Sequence, residues 1–438
     1  MPRLKDVSGR VSVDDVTHYQ DDLDAGIDGG VHDYGDRSAL LPSKAVVVHA
    51  NYGVSYINEY LQYLNGLGFG ASEVIPVNGE DTLFASIQHD PETRKRILGL
   101  VNEDGCRLDA FCSYDPFAAF VSEMGLDKGQ VRSTLDLDLV RELDNKRRLR
   151  ELDVELPGCQ RFPEHIVAET SDDVLAGMKL MLEKHGAVYL KADDLESGVG
   201  TLDFEGKFSE SNVRRHLERY QDNGRAWIIE QSITDKFEGS VQWYITPEDE
   251  ALQKRFMSRQ YLKGPVHQGN GIPHRHYDAF PSEWSKRERR RLADRVWSMT
   301  KPFAQWAKAQ GYVGYLGFDF AVDLETHQAF LFEANARKTG ATYPESVRWQ
   351  VEASGRLDEA NVAMLNCHPD PALNHFQAIV ERLEYHGLAM DPTKGTGVIV
   401  ANPRCLIETD EPKCILLCVD KTLRAAENAL KSAIACVR

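Results

Sequence analysis

Apolar residues gather in short β-branched runs separated by stretches with helical spacing. The first run, Ala45-Val46-Val47-Val48-His49, is of the kind that buried strands use. Asn51-Tyr52-Gly53 reads as a turn, and Val54 to Leu64 reads as a helix. Further strands are predicted at Val74-Ile75-Pro76-Val77 and Leu108-Asp109-Ala110-Phe111, with helical stretches between them. Strands alternating with helices predict a parallel, Rossmann-like sheet over residues 43–135. Gly68-Phe69-Gly70 does not complete a dinucleotide-binding loop, because Glu73 stands where the third glycine belongs.

Farther along, Thr170-Ser171-Asp172-Asp173 caps a helix carrying Val174, Met178 and Met181, and Gly186 sits where a terminating glycine belongs. Ala187-Val188-Tyr189-Leu190-Lys191 follows as a strand. Leu292, Val296, Met299, Phe303 and Trp306 mark a second amphipathic helix, whose basic opening (Lys286 to Arg291) reads as a solvated face. Beyond residue 370 the chain turns helical, then gives strands at Gly397–Val400 and Cys414–Leu417 and a last helix from Thr422. The first forty residues hold many aspartates and glycines and little apolar material. They are read as an acidic arm, unable to bury enough surface to offset ordering.

Length and charge narrow the classes. A chain of 438 residues predicts two to four domains, and 42% hydrophobic with 27% charged residues predicts a soluble globular protein. A formal charge of −17 excludes a general nucleic-acid or anionic-membrane binder, yet leaves small anionic ligands open, because a few placed cations set the local field. The eight cysteines form no C-x-x-C pair, and no run of about 18 apolar residues appears. Reduced thiols in a cytoplasmic protein, with a homodimer as the common assembly, are the expectation.

Candidate chemistry centres on Gly314-Tyr315-Leu316-Gly317-Phe318-Asp319, continuing to Asp323, and on Phe332-Glu333-Ala334-Asn335-Ala336-Arg337. Two strands joined by a short turn place Asp319 and Glu333 on adjacent backbones, while Glu333 and Asn335, two apart, share one face. Two carboxylates and an amide oxygen make a hard-oxygen site suited to Mg²⁺, with Mn²⁺ able to substitute. Asp323, four residues from Asp319, is the alternative carboxylate. Arg337 beside them would neutralise phosphate oxygens.

Polar residues on one strand face are more often the wet side of a sheet. Three further pieces change that reading. Lys191 ends a strand ahead of Ser197-Gly198-Val199-Gly200, a loop whose N–H groups can meet phosphate. Ile229-Glu230-Gln231, then Phe237-Glu238-Gly239-Ser240-Val241, suits an adenine slot, with Glu230 and backbone groups at the base and Glu238 at the ribose. Lys146 lies in Asp144-Asn145-Lys146-Arg147-Arg148, a basic helix opening.

In this order these pieces resemble the ATP-grasp superfamily over residues 140–345. The resemblance implies two α+β subdomains gripping ATP (136–235 as lid, 236–370 as Mg²⁺-binding part), after the Rossmann-like domain and before a small α/β unit at 371–438; residues 1–42 are the arm. It implies that Lys146 and Lys191 contact phosphates, that Asp319, Glu333 and Asn335 hold Mg²⁺, and that Arg337 faces an acyl phosphate. The flanking units look similar to those of bacterial peptide ligases of the pheganomycin type.

The implied reaction joins a small-molecule carboxylate to an amine, such as amino acids or short peptides, giving amide, ADP and phosphate. Lysines, an arginine and cation ligands, with no Ser-His-Asp or Cys-His set, fit phosphoryl transfer. A substrate carboxylate is expected on Arg255 or Arg259, in a polar stretch with Ser258, Gln260 and His267-Gln268-Gly269-Asn270-Gly271, and Thr339 and Gly340 are expected near the acceptor. No A-M-K-M biotin setting occurs, and nothing marks a phosphohistidine. A scaffold that merely binds ATP would lose Asp319, Glu333, Asn335 or Arg337 first, and all four are present.

Overall fold

The run at 45–49 lies inside a four-stranded parallel sheet. The computed structural model describes residues 9–15, 31–49, 54–79, 82–156, 158, 161–195, 200–220, 225–249, 251–263, 266–407 and 412–438. Strands β1 (Arg10–Val13), β2 (Ala45–His49), β3 (Glu73–Val77) and β4 (Arg107–Ala110) stand in the order β3-β2-β1-β4. Helices α1 (Val54–Gly66), α2 (Leu83–His89), α3 (Pro91–Asn102) and α4 (Asp115–Glu123) connect or follow them, as strand–helix alternation requires.

One strand inside this sheet comes from the segment read as an arm. That expectation is corrected over residues 9–15 and 31–42; the aspartates at 21–28 lie outside the described residues. Val11, Ser12 and Val13 are fully buried, and Val31–Leu40 forms a 3-10 helix. The polar residues that made the segment look unable to fold are paired at long range. Ser12 Oγ meets Ser43 Oγ at 2.8 Å, and the Arg10 guanidinium meets Asp109 at 3.2 Å.

Two helices, α5 (Leu137–Asp144) and α6 (Lys146–Glu155), lead into a second sheet of β5 (His165–Ala168), β6 (Ala187–Ala192), β7 (Leu202–Glu205) and β8 (Trp227–Gln231). Its order is β5-β8-β6-β7, all neighbours antiparallel. Ile166, Leu190 and Ile229 pack against α7 (Ser171–His185) and α8 (Glu210–Arg219), leaving the alternate residues on the opposite face. Thr170 Oγ1 caps α7 by accepting the Asp173 N–H at 3.2 Å, and Gly186 ends it at φ 77°.

The third sheet has eight strands: β9 (Lys236–Ile245), β10 (Gln253–Lys263), β11 (Val266–Ile272), β12 (Gly314–Asp323), β13 (Ala329–Asn335), β14 (Asn361–Cys367), β15 (Gly397–Ala401) and β16 (Cys414–Asp420). The order is β13-β12-β9-β10-β11-β14-β16-β15. Helix α9 (Lys286–Ala309) covers part of one face, packing Val296, Trp297 and Phe303 with Trp243, Phe318 and Phe320. The strands after residue 371 form no sheet of their own but extend this one. Around them pack α10 (Thr342–Ala353), α11 (Phe376–Tyr385), α12 (Leu423–Val437) and α1, whose Tyr56 hydroxyl donates to the Pro403 carbonyl at 2.9 Å. No helix among the described residues is long and apolar enough to cross a membrane.

Where the first and third sheets meet, Lys338 is almost completely buried. Its Nζ lies 2.7 Å from Asp14 Oδ1 and 3.3 Å from Asp109 Oδ2, while the Tyr343 hydroxyl donates to Asp14 Oδ2 at 2.6 Å. The Lys338 N–H donates to the Phe111 carbonyl at 3.0 Å, and Arg337 bridges to Cys112. Lys338→Met leaves Asp14 without its counter-ion in an apolar setting. It is expected to lower the unfolding free energy by roughly 3–5 kcal/mol, read as a lower urea midpoint; an unchanged midpoint would show the ammonium to be dispensable.

Candidate active site

Strand alternation puts Ser240, Ser258, Gln260, Asn270 and Asp319 on the face of the eight-stranded sheet away from α9. Asp319 on β12 stands opposite Glu333 on β13, beside a register shift that leaves Phe332 as the extra residue. Such a bulge turns two successive side chains, Phe332 and Glu333, toward the same cleft. Gln260 Nε2 donates to Asp319 Oδ1 at 3.0 Å, and Asn335 Nδ2 lies 3.4 Å from Asp319 Oδ2.

The two carboxyls behave as a pair. Burial and the neighbouring Glu333 push the Asp319 carboxyl well above the usual range. Burial also opposes charge on Glu333, but Lys146, Lys191 and Arg337 hold it below the ordinary value. A divalent cation would offset the repulsion between these two buried carboxyls, so the donor set of Asp319, Glu333 and Asn335 fits a hard cation. Among the described residues no three His, Cys, Asp or Glu side chains converge as a metal cage. A cation here would therefore draw other ligands from phosphate and water. Asp323 is engaged elsewhere: its Oδ1 accepts the N–H groups of Glu325 (3.0 Å) and Thr326 (2.6 Å) in the turn after β12.

Both predicted phosphate lysines reach this cleft. Lys146, the first residue of α6, is buried rather than on an exposed face. Its Nζ donates to the Leu195 carbonyl and lies 3.5 Å from Glu333 Oε2. Lys191 on β6 donates to Glu230 Oε1 at 2.6 Å and sits 4.7 Å from the Phe332 ring centre. Burial pushes its ammonium below the usual lysine range despite Glu230. Glu230 itself is fully buried, with its other oxygen held by Arg150. Its carboxylate is thus committed to two cations, which corrects the expectation that it reads adenine. Gln231 follows the alternation toward the helix-covered face, and its N–H donates to the Glu164 carbonyl at 2.9 Å, so it offers the base neither side chain nor N–H.

Glu238 lies on the site face, bound at 2.9 Å by Lys236, whose Nζ is 5.0 Å from the Phe332 ring centre. Ser197 and Gly198 lie outside the described residues. Gly200 ends that loop at φ 68°, where a Cβ would come within 2.8 Å of Leu195 Cδ1, so glycine is required. Arg337 Nη1 lies 3.6 Å from Asp144 Oδ1, the atom that accepts the Ala336 N–H at 2.6 Å.

The substrate candidates divide. Thr339 Oγ1 accepts from Gln242 Nε2 at 3.1 Å, and a Cβ on Gly340 would lie 3.5 Å from His267 Cε1 and 3.7 Å from Asn270 Nδ2. Gln268 falls at a register shift between β10 and β11, where its Nε2 donates to the neighbouring His267 carbonyl at 3.3 Å. Arg259 points the other way: it donates to the Ala279 and Phe280 carbonyls and to Glu427 at 2.9–3.1 Å. It is a structural tie, and its neighbour Gln260 is the residue that meets Asp319. Arg255 stacks over Tyr244, 5.6 Å from the ring centre, at the level of Tyr315. That is about 13 Å along β12 from Asp319, too far to share one small acid with it. Sequence reasoning missed Arg150, Lys236 and Gln242.

A carboxylate pair on the face of an antiparallel sheet, opposed by one lysine from helix α6 and one from a second sheet, sits within the ATP-grasp fold. The chain has that fold. It is similar to carboxyaminoimidazole ribonucleotide synthase from Aspergillus clavatus, solved with ATP, at 13% identity and TM-score 0.55 over 98% of both chains. It is also similar to biotin carboxylase from Campylobacter jejuni (12%, TM-score 0.55, 97% of this chain and 90% of that one). N5-carboxyaminoimidazole synthetase from Staphylococcus aureus gives 10% and 0.54, over 98% and 97%. Neither a protein-family model nor a curated protein matches the chain.

With no cation bound, the raised Asp319 carboxyl lends stability that is complete below the ordinary carboxyl range and is lost as pH rises through its folded pKa. Asp319→Asn removes that loss. In urea titrations without divalent cations the variant is expected to gain on the parent by about 0.5–2 kcal/mol toward pH 8, with a smaller gain at pH 5. A gain that did not grow with pH would refute the raised Asp319 carboxyl.

Proposed function

We propose that the protein is an ATP-dependent, ADP-forming ligase that joins a carboxylate to an amine. The observation that carries this is the Asp319–Glu333 pair, with Asn335, facing the ammonium groups of Lys146 and Lys191 across one cleft. The triphosphate would lie between the lysines and the carboxylates, with Phe332 beneath the nucleotide and Glu238 beside its ribose. Mg²⁺ held by Asp319, Glu333 and Asn335 would supply charge neutralisation of the phosphate oxygens.

A carboxylate oxygen of the acid attacks the γ-phosphorus. The bond to the β–γ bridging oxygen breaks, ADP leaves and an acyl phosphate forms. The amine then attacks the acyl carbon, the carbon–oxygen bond to phosphate breaks, and the nitrogen gives up a proton to solvent. Arg337, steadied by Asp144, is placed to offset charge on the acyl phosphate and on the tetrahedral oxyanion. The cleft beyond it is lined by Gln242, Asn270, His267 and Thr339, neutral hydrogen-bonding groups that suit the amide and amine functions of amino acids or short peptides. A second reading takes bicarbonate as the acid. It is favoured by the carboxylation named in the structurally similar proteins.

The test is to incubate the protein with Mg-ATP and pools of amino acids, short peptides or bicarbonate, following phosphate and product mass. Amino-acid-dependent phosphate release with a product one water lighter than its parts is expected. Release that needs only bicarbonate and an amine would move the assignment to carboxylation. Arg337→Ala is expected to cut turnover by about 10²–10³ while ATP still binds. Glu333→Ala that left turnover intact would sink the ligase reading.

A further inference from the structure

Arg150 lies outside every role assigned above, yet it touches both phosphate-facing lysines' supports. Its side chain is 2% exposed and Glu230 is fully buried, so neither group is shared with solvent. Its Nη2 donates to Glu230 Oε2, and its Nη1 donates to the main-chain carbonyl of Lys146 at 2.7 Å. The planar group is backed by the Phe162 ring, 4.7 Å away. Lys191 takes the remaining Glu230 oxygen at 2.6 Å. Two cations therefore share one anion, and the wall of the cleft keeps a net positive charge.

We propose that Arg150 is a positioning residue that leaves Lys191 free to engage phosphate and fixes the helix turn carrying Lys146; this rests on the nucleotide reading above. The reason is what a departing lysine leaves behind. A buried carboxylate with a single counter-ion resists losing it, because the unpaired charge is costly. With Arg150 on its second oxygen, Glu230 stays paired when an incoming phosphate draws Lys191 away. Without Arg150, Lys191 is the sole partner and is held back. Arginine is needed for this, because its fork reaches a carboxylate and a carbonyl together, whereas lysine offers one point charge.

The test is isothermal titration of the full chain with ATP and with adenosine, both in Mg²⁺. In Arg150→Met the ATP affinity is expected to fall about tenfold, the equivalent of ~1.4 kcal/mol, with adenosine affinity unchanged. Arg150→Lys should fall between. Arg150→Met/Glu230→Gln removes the unpaired anion with the cation and should recover most of the preference for ATP. Equal losses for ATP and adenosine would reduce Arg150 to a structural brace and overturn the proposal, as would an ATP affinity untouched by Arg150→Met. Should Arg150→Met fail to fold, the lysine and double variants carry the same comparison. Parent protein that binds neither ligand would instead overturn the nucleotide reading itself, a result distinct from any loss confined to the variants.

Discussion

A buried ammonium, Lys338, sets where the two halves of the molecule meet. Asp14 directly follows a strand of the parallel sheet, Asp109 lies on another, and Lys338 comes from the segment just past the β13 strand of the large sheet. Burying such charges is unfavourable unless each finds its partner, so only one mutual placement of the sheets satisfies all of them. Arg337, the residue before, inherits that placement through its bridge to Cys112. The position of the arginine, two residues past the end of β13, is therefore tied to the N-terminal sheet as well as to Asp144.

The same logic runs through the cleft. A chain with a formal charge of −17 concentrates Lys146, Arg150, Lys191, Lys236 and Arg337 around a few acidic groups. Each cation is fixed by a carboxylate, a carbonyl or an aromatic face rather than by solvent. Charge of one sign is thereby held ready in a low-dielectric wall, where it acts more strongly than on a wet surface. Net charge says little about such a site; its local arrangement says most.

Much of the fold was legible because the signals were local. Ala45–His49 and Ala187–Lys191 announce themselves by composition, Thr170 and Gly186 by position, and the spacing of Glu333 and Asn335 by strand period. What was not legible depends on distant partners. The Arg10–Val13 strand carries polar residues satisfied only from Ser43 and Asp109. The choice between Arg259 and Gln260 turns on strand phase, which one residue inverts. Arg150 sits in a run of basic residues that looks solvated. A signal existed nonetheless, because Lys146, Leu149, Arg150 and Asp153 occupy the buried stripe of their helix, and charge at such positions asks for a partner.

The packing of α1 on the C-terminal strands has a consequence for how the protein is made. Tyr56 and Tyr60 belong to α1, yet both rings meet Phe376, in one apolar cluster with Val398 and Leu416, and Tyr56 bonds Pro403 across 347 positions. At about 5–20 residues per second on the ribosome, that stretch takes roughly 17–70 s to emerge. During this interval the nascent N-terminal sheet carries an uncovered aromatic face. The parallel sheet is thus first to be synthesised but cannot be first to finish, and a cell making this protein must shield that face until the last strands arrive.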